Sequence, residues 1–395
     1  MTGLPLAAYV HIPFCTVKCG YCDFNAYAGM DDLKDAYGRA LVAEVHASRS
    51  VLHGREVTSI GFGGGTPGEV PSADIAAVIE AVRTEATLAD DIEISLEANP
   101  GTTGAAALAE LRRAGVSRIS FGAQSFNAAE LRFLDRIHSP EANTSAVALA
   151  RSAGIPSIGC DLIYGIPGQT TDTWLTSLRT AAASGVDHVS TYALTVEEGT
   201  PLARRVNRGE VIVPDGDALA DLYDLATEEL ASAGFEQYEL SNWARPGHQS
   251  RHNRVYWTDR EYLGIGAGAH GYLAGERYEN IAHPRDYIAA VTGADGARRA
   301  RASAYIPDET MRMSDWLSLR LRLIEGFEPG EFAAAFGVPP RDVAGEVLEE
   351  CAAAGVLELA PRIRLTRRGR LLHGEVSARL LALLRTRNLQ LGTRP

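Results

Sequence analysis

Tyr9-Val-His11-Ile-Pro-Phe-Cys15-Thr-Val-Lys-Cys19-Gly-Tyr-Cys22-Asp-Phe-Asn25 begins as an apolar strand over 9–12 and breaks at a proline into a C-x3-C-x2-C triplet. Three thiolates so close together suit a cubic [4Fe–4S] cluster in which three irons are ligated and one stays open. The open iron can chelate the amino and carboxylate groups of S-adenosylmethionine. An electron from the cluster then cleaves the sulfonium C–S bond and leaves a 5′-deoxyadenosyl radical. Zinc is the competing reading, with His11 completing a Cys3His set at unusual spacing. Buried, non-ligating thiols are the bland one. Cys160 and Cys351 stand alone and read as ordinary buried thiols.

The rest of the composition fits a metal site in a reducing compartment. Five cysteines is an odd count, so a disulfide framework is not expected, and a cytoplasmic location is. The 38 basic and 50 acidic side chains leave a net charge of −12, which repels phosphate backbones and argues against nucleic acid as a partner. No stretch reaches the ~20 apolar residues of a membrane span. The N-terminus lacks the pattern of a secretion signal.

Outward from the triplet, short apolar runs alternate with helical patterns. Strands are predicted at 9–12, 59–63, 92–97, 118–122, 158–164, 189–194 and 236–240. Helices are predicted at 32–50, 72–87, 103–114, 127–135, 143–153, 172–184 and 217–233. Strands apolar on both faces imply a parallel α/β sheet covered by helices, either doubly wound or a full or partial barrel. Gly64, Gly65, Thr66, Glu97, Gln124, Asp161 and Thr195 fall at strand C-termini, the edge where such folds bind ligands. The glycine turn exposes backbone to a ligand or is simply a tight turn. Converging acids at Glu97 and Asp161 suit ribose hydroxyls or an ammonium group; helix capping is the plainer alternative. A Gly/Ala/Arg stretch over 292–303 reads as a linker, after which helices and a short hairpin suggest a winged-helix-like module.

Together these residues resemble the radical S-adenosylmethionine proteins related to oxygen-independent coproporphyrinogen III oxidase. The matching motifs are the cysteine stretch, Gly63-Gly-Gly-Thr-Pro67, Glu97-Ala-Asn-Pro100, Arg118-Ile-Ser-Phe-Gly-Ala-Gln124-Ser-Phe126 and Asp161-Leu-Ile-Tyr-Gly-Ile-Pro-Gly-Gln-Thr170. The resemblance implies a partial (β/α)6 radical-SAM barrel over 1–300 and a smaller, mainly helical winged-helix-like domain over 301–395. It implies a cluster on Cys15, Cys19 and Cys22. Gly64, Gly65 and Thr66 take the methionyl amino end of S-adenosylmethionine, and Arg136, read as a helical residue, its carboxylate. Tyr9 and Gln124 lie nearby, and Thr195 lies by the adenosyl part.

Two features select a branch. Residue 24 is Phe where the oxidase carries a fourth cysteine, and only 14 residues precede Cys15 where the oxidase is extended. His252-Asn253-Arg-Val-Tyr256-Trp257 is similar to the HNxxYW pattern of the heme chaperone HemW family. That branch implies heme binding and transfer to heme-accepting proteins, membrane-associated ones included, with a flavodoxin or ferredoxin as electron donor. Coproporphyrinogen III oxidation is the alternative. His252 is the heme-ligand candidate, with Tyr256 and Trp257 packing the porphyrin; equally, a His–Asn pair can brace a loop while the aromatic rings fill the core. Gly266-Ala-Gly268-Ala-His270-Gly271 fits a dinucleotide GxGxxG but comes too late in the chain, and reads as a turn closing the barrel. Arg362, Arg364, Arg367, Arg368 and Arg370 near the hairpin read as a solvated face rather than a DNA-binding wing.

Overall fold

β1 (Leu6–Ile12) is buried along its length, with Tyr9 alone partly exposed. Such a strand belongs in the middle of a helix-covered sheet. The computed structural model, which describes residues 5–292 and 300–391 (387–391 by backbone alone), places it there. The strands that follow are β2 (Glu56–Gly64), β3 (Thr87–Ala98), β4 (Arg118–Gln124), β5 (Ser157–Tyr164) and β6 (His188–Ala193). Each pairs in parallel with the next, giving the order β1 to β6. Later in the chain come β7 (Glu236–Glu239), β8 (Asn242–Ala244) and β9 (Tyr262–Ile265). β9 lies parallel to β1 on the side away from β2.

Helices Lys34–Ala47, Ser72–Glu85, Ala105–Ala114, Pro140–Ser152 and Thr171–Ala183 return the chain between the six strands. In Ser72–Glu85 the buried Ile75, Val78, Ile79 and Val82 recur at helical spacing and face one core with Val10, Ile60, Leu96 and Ile119. This is a partial (β/α)6 barrel. All six strands point their C-termini at one edge, which gathers the motif residues.

The chain divides into two compact units. The larger runs to Glu236 and includes Trp243–His252 and Glu261–Ala304; the smaller takes Gln237–Asn242, Asn253–Arg260 and the chain from Tyr305 onward. Of the expected linker, 293–299 lies outside the described residues. Its end is not a linker, because Arg301–Tyr305 forms a strand. In the smaller unit, helices Glu309–Leu321, Pro329–Phe336 and Pro340–Ala353 precede a two-strand hairpin of Leu357–Glu358 and Arg364–Leu365. Trp316 anchors its core, edge-on to Phe327 and Phe332. Arg362 pairs with Glu328 and Glu331, and Arg364 with Glu358, so neighbouring acids balance these two wing cations. No helix among the described residues is long and apolar enough to cross a membrane.

The Gly266–Gly271 turn does not close a ring. It leads from β9 into the antiparallel β10 (His270–Leu273), so the sheet is extended beyond β1. Its Gly266 N–H donates to buried Glu44 at 2.8 Å and its Ala267 N–H to Tyr37 at 2.8 Å. Those donors serve the fold and are not offered to a phosphate. Asn280 and Tyr287 also donate to Glu44, at 2.9 and 2.5 Å. Burial nevertheless pushes the Glu44 carboxyl up to about 7. A folded value above the unfolded one means the native chain holds an extra proton between the two. Stability from this group therefore falls as pH rises from the ordinary carboxylate range to about 7. Glu44→Gln is expected to flatten that decline in Tm, followed by calorimetry from about pH 5 to about pH 8; an unaltered slope would contradict the assignment.

Candidate cofactor site

The cysteine loop leaves β1 at Pro13 and doubles back, with Tyr27 N–H donating to Pro13 O at 2.7 Å and Cys15 N–H to Tyr27 O at 3.0 Å. Separate elements pin it. Thr16 donates through its N–H and hydroxyl to Glu69, Gly20 N–H donates to Asp135 at 3.1 Å, and Gly20 O accepts from Leu202 N–H at 2.8 Å. Cys15, Cys19 and Cys22 carry no disulfide and open onto one cavity of about 390 Å³. Burial pushes the Cys15 thiol up to about 11, although the Thr66 hydroxyl, 3.4 Å away, opposes that rise.

Gly64, Gly65, Thr66, Glu97, Gln124, Arg136, Asp161 and Thr195 line the same cavity. Arg136 is not helical. It follows the helix Ala128–Phe133, after Asp135 in a left-handed conformation at φ 55°. Its guanidinium lies 3.6 Å from Cys19 Sγ and donates to Gly122 O at 2.7 Å and to Asn99 Oδ1. Arg136 Nε–H is buried with no hydrogen-bond partner among the described residues. An unsatisfied buried donor beside the thiols is a place for an anionic acceptor such as a carboxylate.

Glu97 also opens into the cavity, where the surrounding protein desolvates its carboxyl. Its carboxyl is pushed up to about 7, by that desolvation first and then by Asp161. Asp161 is raised by the same burial, although Ser190 and Ser120 oppose the rise, Ser120 by donating at 3.0 Å. Two acids held this way favour a cation or a pair of hydroxyl donors between them. Gln124 ends β4 at φ 62°, an uncommon conformation for a side chain of its type. The next residue braces it: Ser125 donates to buried Glu130 at 2.6 Å, and Ser125 O accepts from Asn143 at 3.0 Å.

Sequence reasoning did not assign Asn99, Asp135 or Glu130. Only Asn99 had a signal, its place in the Glu97–Pro100 motif. The zinc reading loses its fourth ligand, because both His11 ring nitrogens are engaged, Nδ1 with Tyr9 Oη at 3.0 Å and Nε2 with Asn25 O at 2.9 Å. Tyr9 does not line the cavity, and neither do His252, Tyr256 and Trp257. These last three share the helix Arg251–Trp257, but His252 is 4% exposed and the Arg322 guanidinium lies 4.2 Å above the Trp257 ring.

The Radical SAM superfamily model matches residues 9–181, and the HemN C-terminal domain model matches 308–372. The heme chaperone HemW of Mycobacterium tuberculosis H37Rv is 40% identical over 389 residues, covering 96% of each chain. The chain belongs to the heme chaperone HemW family. The Escherichia coli K12 HemW is 37% identical, over 93% of this chain and 96% of its own. Among solved structures, the coproporphyrinogen III oxidase HemN from Escherichia coli, a radical SAM enzyme, superposes with a TM-score of 0.82 at 24% identity. It covers 95% of this chain and 90% of that one, a likeness of fold. For a HemW-family chain, the radical SAM domain implies a [4Fe–4S] cluster and S-adenosylmethionine.

Proposed function

We propose that this chain is a heme chaperone that holds a [4Fe–4S] cluster on Cys15, Cys19 and Cys22, binds S-adenosylmethionine beside it, and passes heme to acceptor proteins. One observation carries the cofactor reading: the three thiols, the unsatisfied Arg136 donor and the paired acids share a single cavity. The near full-length identity to proteins named as heme chaperones supports the cargo. A bound cluster supplies one-electron chemistry and an open iron for the amino acid end of S-adenosylmethionine. The chain's own part is placement. Arg136 takes the carboxylate with Gln124 nearby, Gly64, Gly65 and Thr66 frame the amino end, Thr195 flanks the adenosyl part, and Glu97 and Asp161 hold hydroxyl or ammonium donors.

On this reading the barrel over 1–300 carries the cofactors and 301–395 is accessory. Heme acceptors, membrane-associated ones among them, and a flavodoxin or ferredoxin are the partners. Thiolate ligands for iron suit a reducing cytoplasm. The test is an anaerobic heme titration with and without reconstituted cluster. Saturable binding with a shifted Soret band is the expected result, and its absence in both preparations would overturn the chaperone reading. Release of protoporphyrinogen from coproporphyrinogen III, with reductant and S-adenosylmethionine present, would favour the oxidase instead.

A further inference from the structure

The glycines of β2 make room for three rings. A Cβ on Gly61 would fall 2.3 Å from His252 Nε2, one on Gly63 would fall 3.2 Å from the Tyr9 ring, and one on Gly64 would fall 2.5 Å from the His11 ring. The rings touch in sequence. His252 stacks on Tyr9 at 6.4 Å between centroids and 27° between planes, and Tyr9 Oη meets His11 Nδ1 at 3.0 Å. His11 Nε2 then donates to Asn25 O at 2.9 Å, three residues beyond Cys22. The far end is fixed as firmly, with His252 Nδ1 2.9 Å from Ser59 Oγ and His252 N–H donating to Glu93 at 2.9 Å.

A ring held by Ser59 on one nitrogen and laid against a glycine backbone with the other turns both nitrogens to protein. That is the geometry of a packing element. We propose that His252 is a positioning residue for the cofactor site: its ring sets Tyr9, Tyr9 sets His11, and His11 sets the Asn25 end of the cysteine loop. On this view the histidine of the HNxxYW stretch serves the cofactors from inside the barrel and does not ligate heme iron.

The inference rests on the cofactor reading above, and the test separates the two. Reconstituted wild-type, His252→Ala, His252→Phe and Ser59→Ala proteins are compared for iron content, S-adenosylmethionine affinity, the change in the reduced cluster's EPR signal on S-adenosylmethionine addition, and heme affinity. His252→Ala is expected to bind S-adenosylmethionine about tenfold more weakly with an altered EPR change, while heme affinity holds. His252→Phe, which restores a ring that cannot ligate iron, is expected to recover most of the loss. Ser59→Ala, which frees one edge of the ring, is expected to show a smaller shift in the same direction; it carries the test if His252→Ala assembles no cluster. Heme loss in both His252 variants with unchanged S-adenosylmethionine binding would overturn the proposal, as would wild-type behaviour of all three variants. Failure of the wild type itself to bind S-adenosylmethionine would instead sink the cofactor reading.

Discussion

Cys19→Ser protein, reconstituted anaerobically with iron and sulfide, is expected to come out colourless and to hold almost no cluster. Cys19 is the middle thiol of the triplet and the most enclosed of the three, at 9% exposure. Its loop is tied at Gly20 to Asp135 and Leu202 and at Thr16 to Glu69, so the backbone cannot slide to offer a substitute donor. A serine hydroxyl is a harder, far less acidic donor than a thiol and a poor ligand for an iron–sulfur core. His11, the fourth ligand of the zinc reading, has both ring nitrogens occupied. Iron and acid-labile sulfide analysis reads the outcome. Cys160→Ser, at a buried site away from the cavity, is expected to keep its full iron complement. Full iron and an intact thiolate-to-iron absorption band in Cys19→Ser would refute the assignment.

Arg136→Ala is expected to weaken S-adenosylmethionine binding by about 10- to 100-fold, the worth of a charge-assisted hydrogen bond of roughly 1.5–3 kcal/mol. Cluster content is expected to stay near wild type. The separation follows from the contacts, since the cysteine loop is pinned by Asp135, Glu69 and Leu202, whereas the Arg136 fork rests on Gly122 O and Asn99 and leaves Nε–H unsatisfied. Arg136→Lys is expected to fall between, because an ammonium keeps the charge and loses the planar fork. Equilibrium dialysis against S-adenosylmethionine, paired with iron analysis, decides it. Parallel loss of iron and affinity would show that Arg136 chiefly props Cys19.

Much of the site is legible before folding, because its signals are local. A cysteine triplet within eight residues marks a metal site without reference to anything distant, and strands apolar on both faces are the kind that helices cover in a parallel sheet. Parallel strands then deliver their C-terminal residues to a common edge, which is why Gly64, Glu97, Gln124 and Asp161 were expected together and lie together. Other features depend on contacts far apart in the chain. Asp135 reaches Gly20 and Glu44 reaches Gly266, pairings that no spacing rule encodes. Arg136 owes its place to a left-handed residue before it, where periodicity suggested continuing helix.

His252 shows the division most clearly. Its sequence context names a family and a residue type, and an imidazole ligates iron or fills space with equal chemical competence. Which of these it does is set by burial and by what meets its two nitrogens. Those depend on Ser59, Gly61 and Tyr9, the first of them 193 positions earlier in the chain and the last earlier still. The chain by itself pointed to a metal site by residue type and to a helix-covered parallel α/β sheet by period, and its resemblance to a family chose the barrel and the cofactors. Only the packed barrel decided which polar side chains face the cavity and which brace it, because that depends on desolvation and hydrogen-bond satisfaction by partners that meet only in three dimensions.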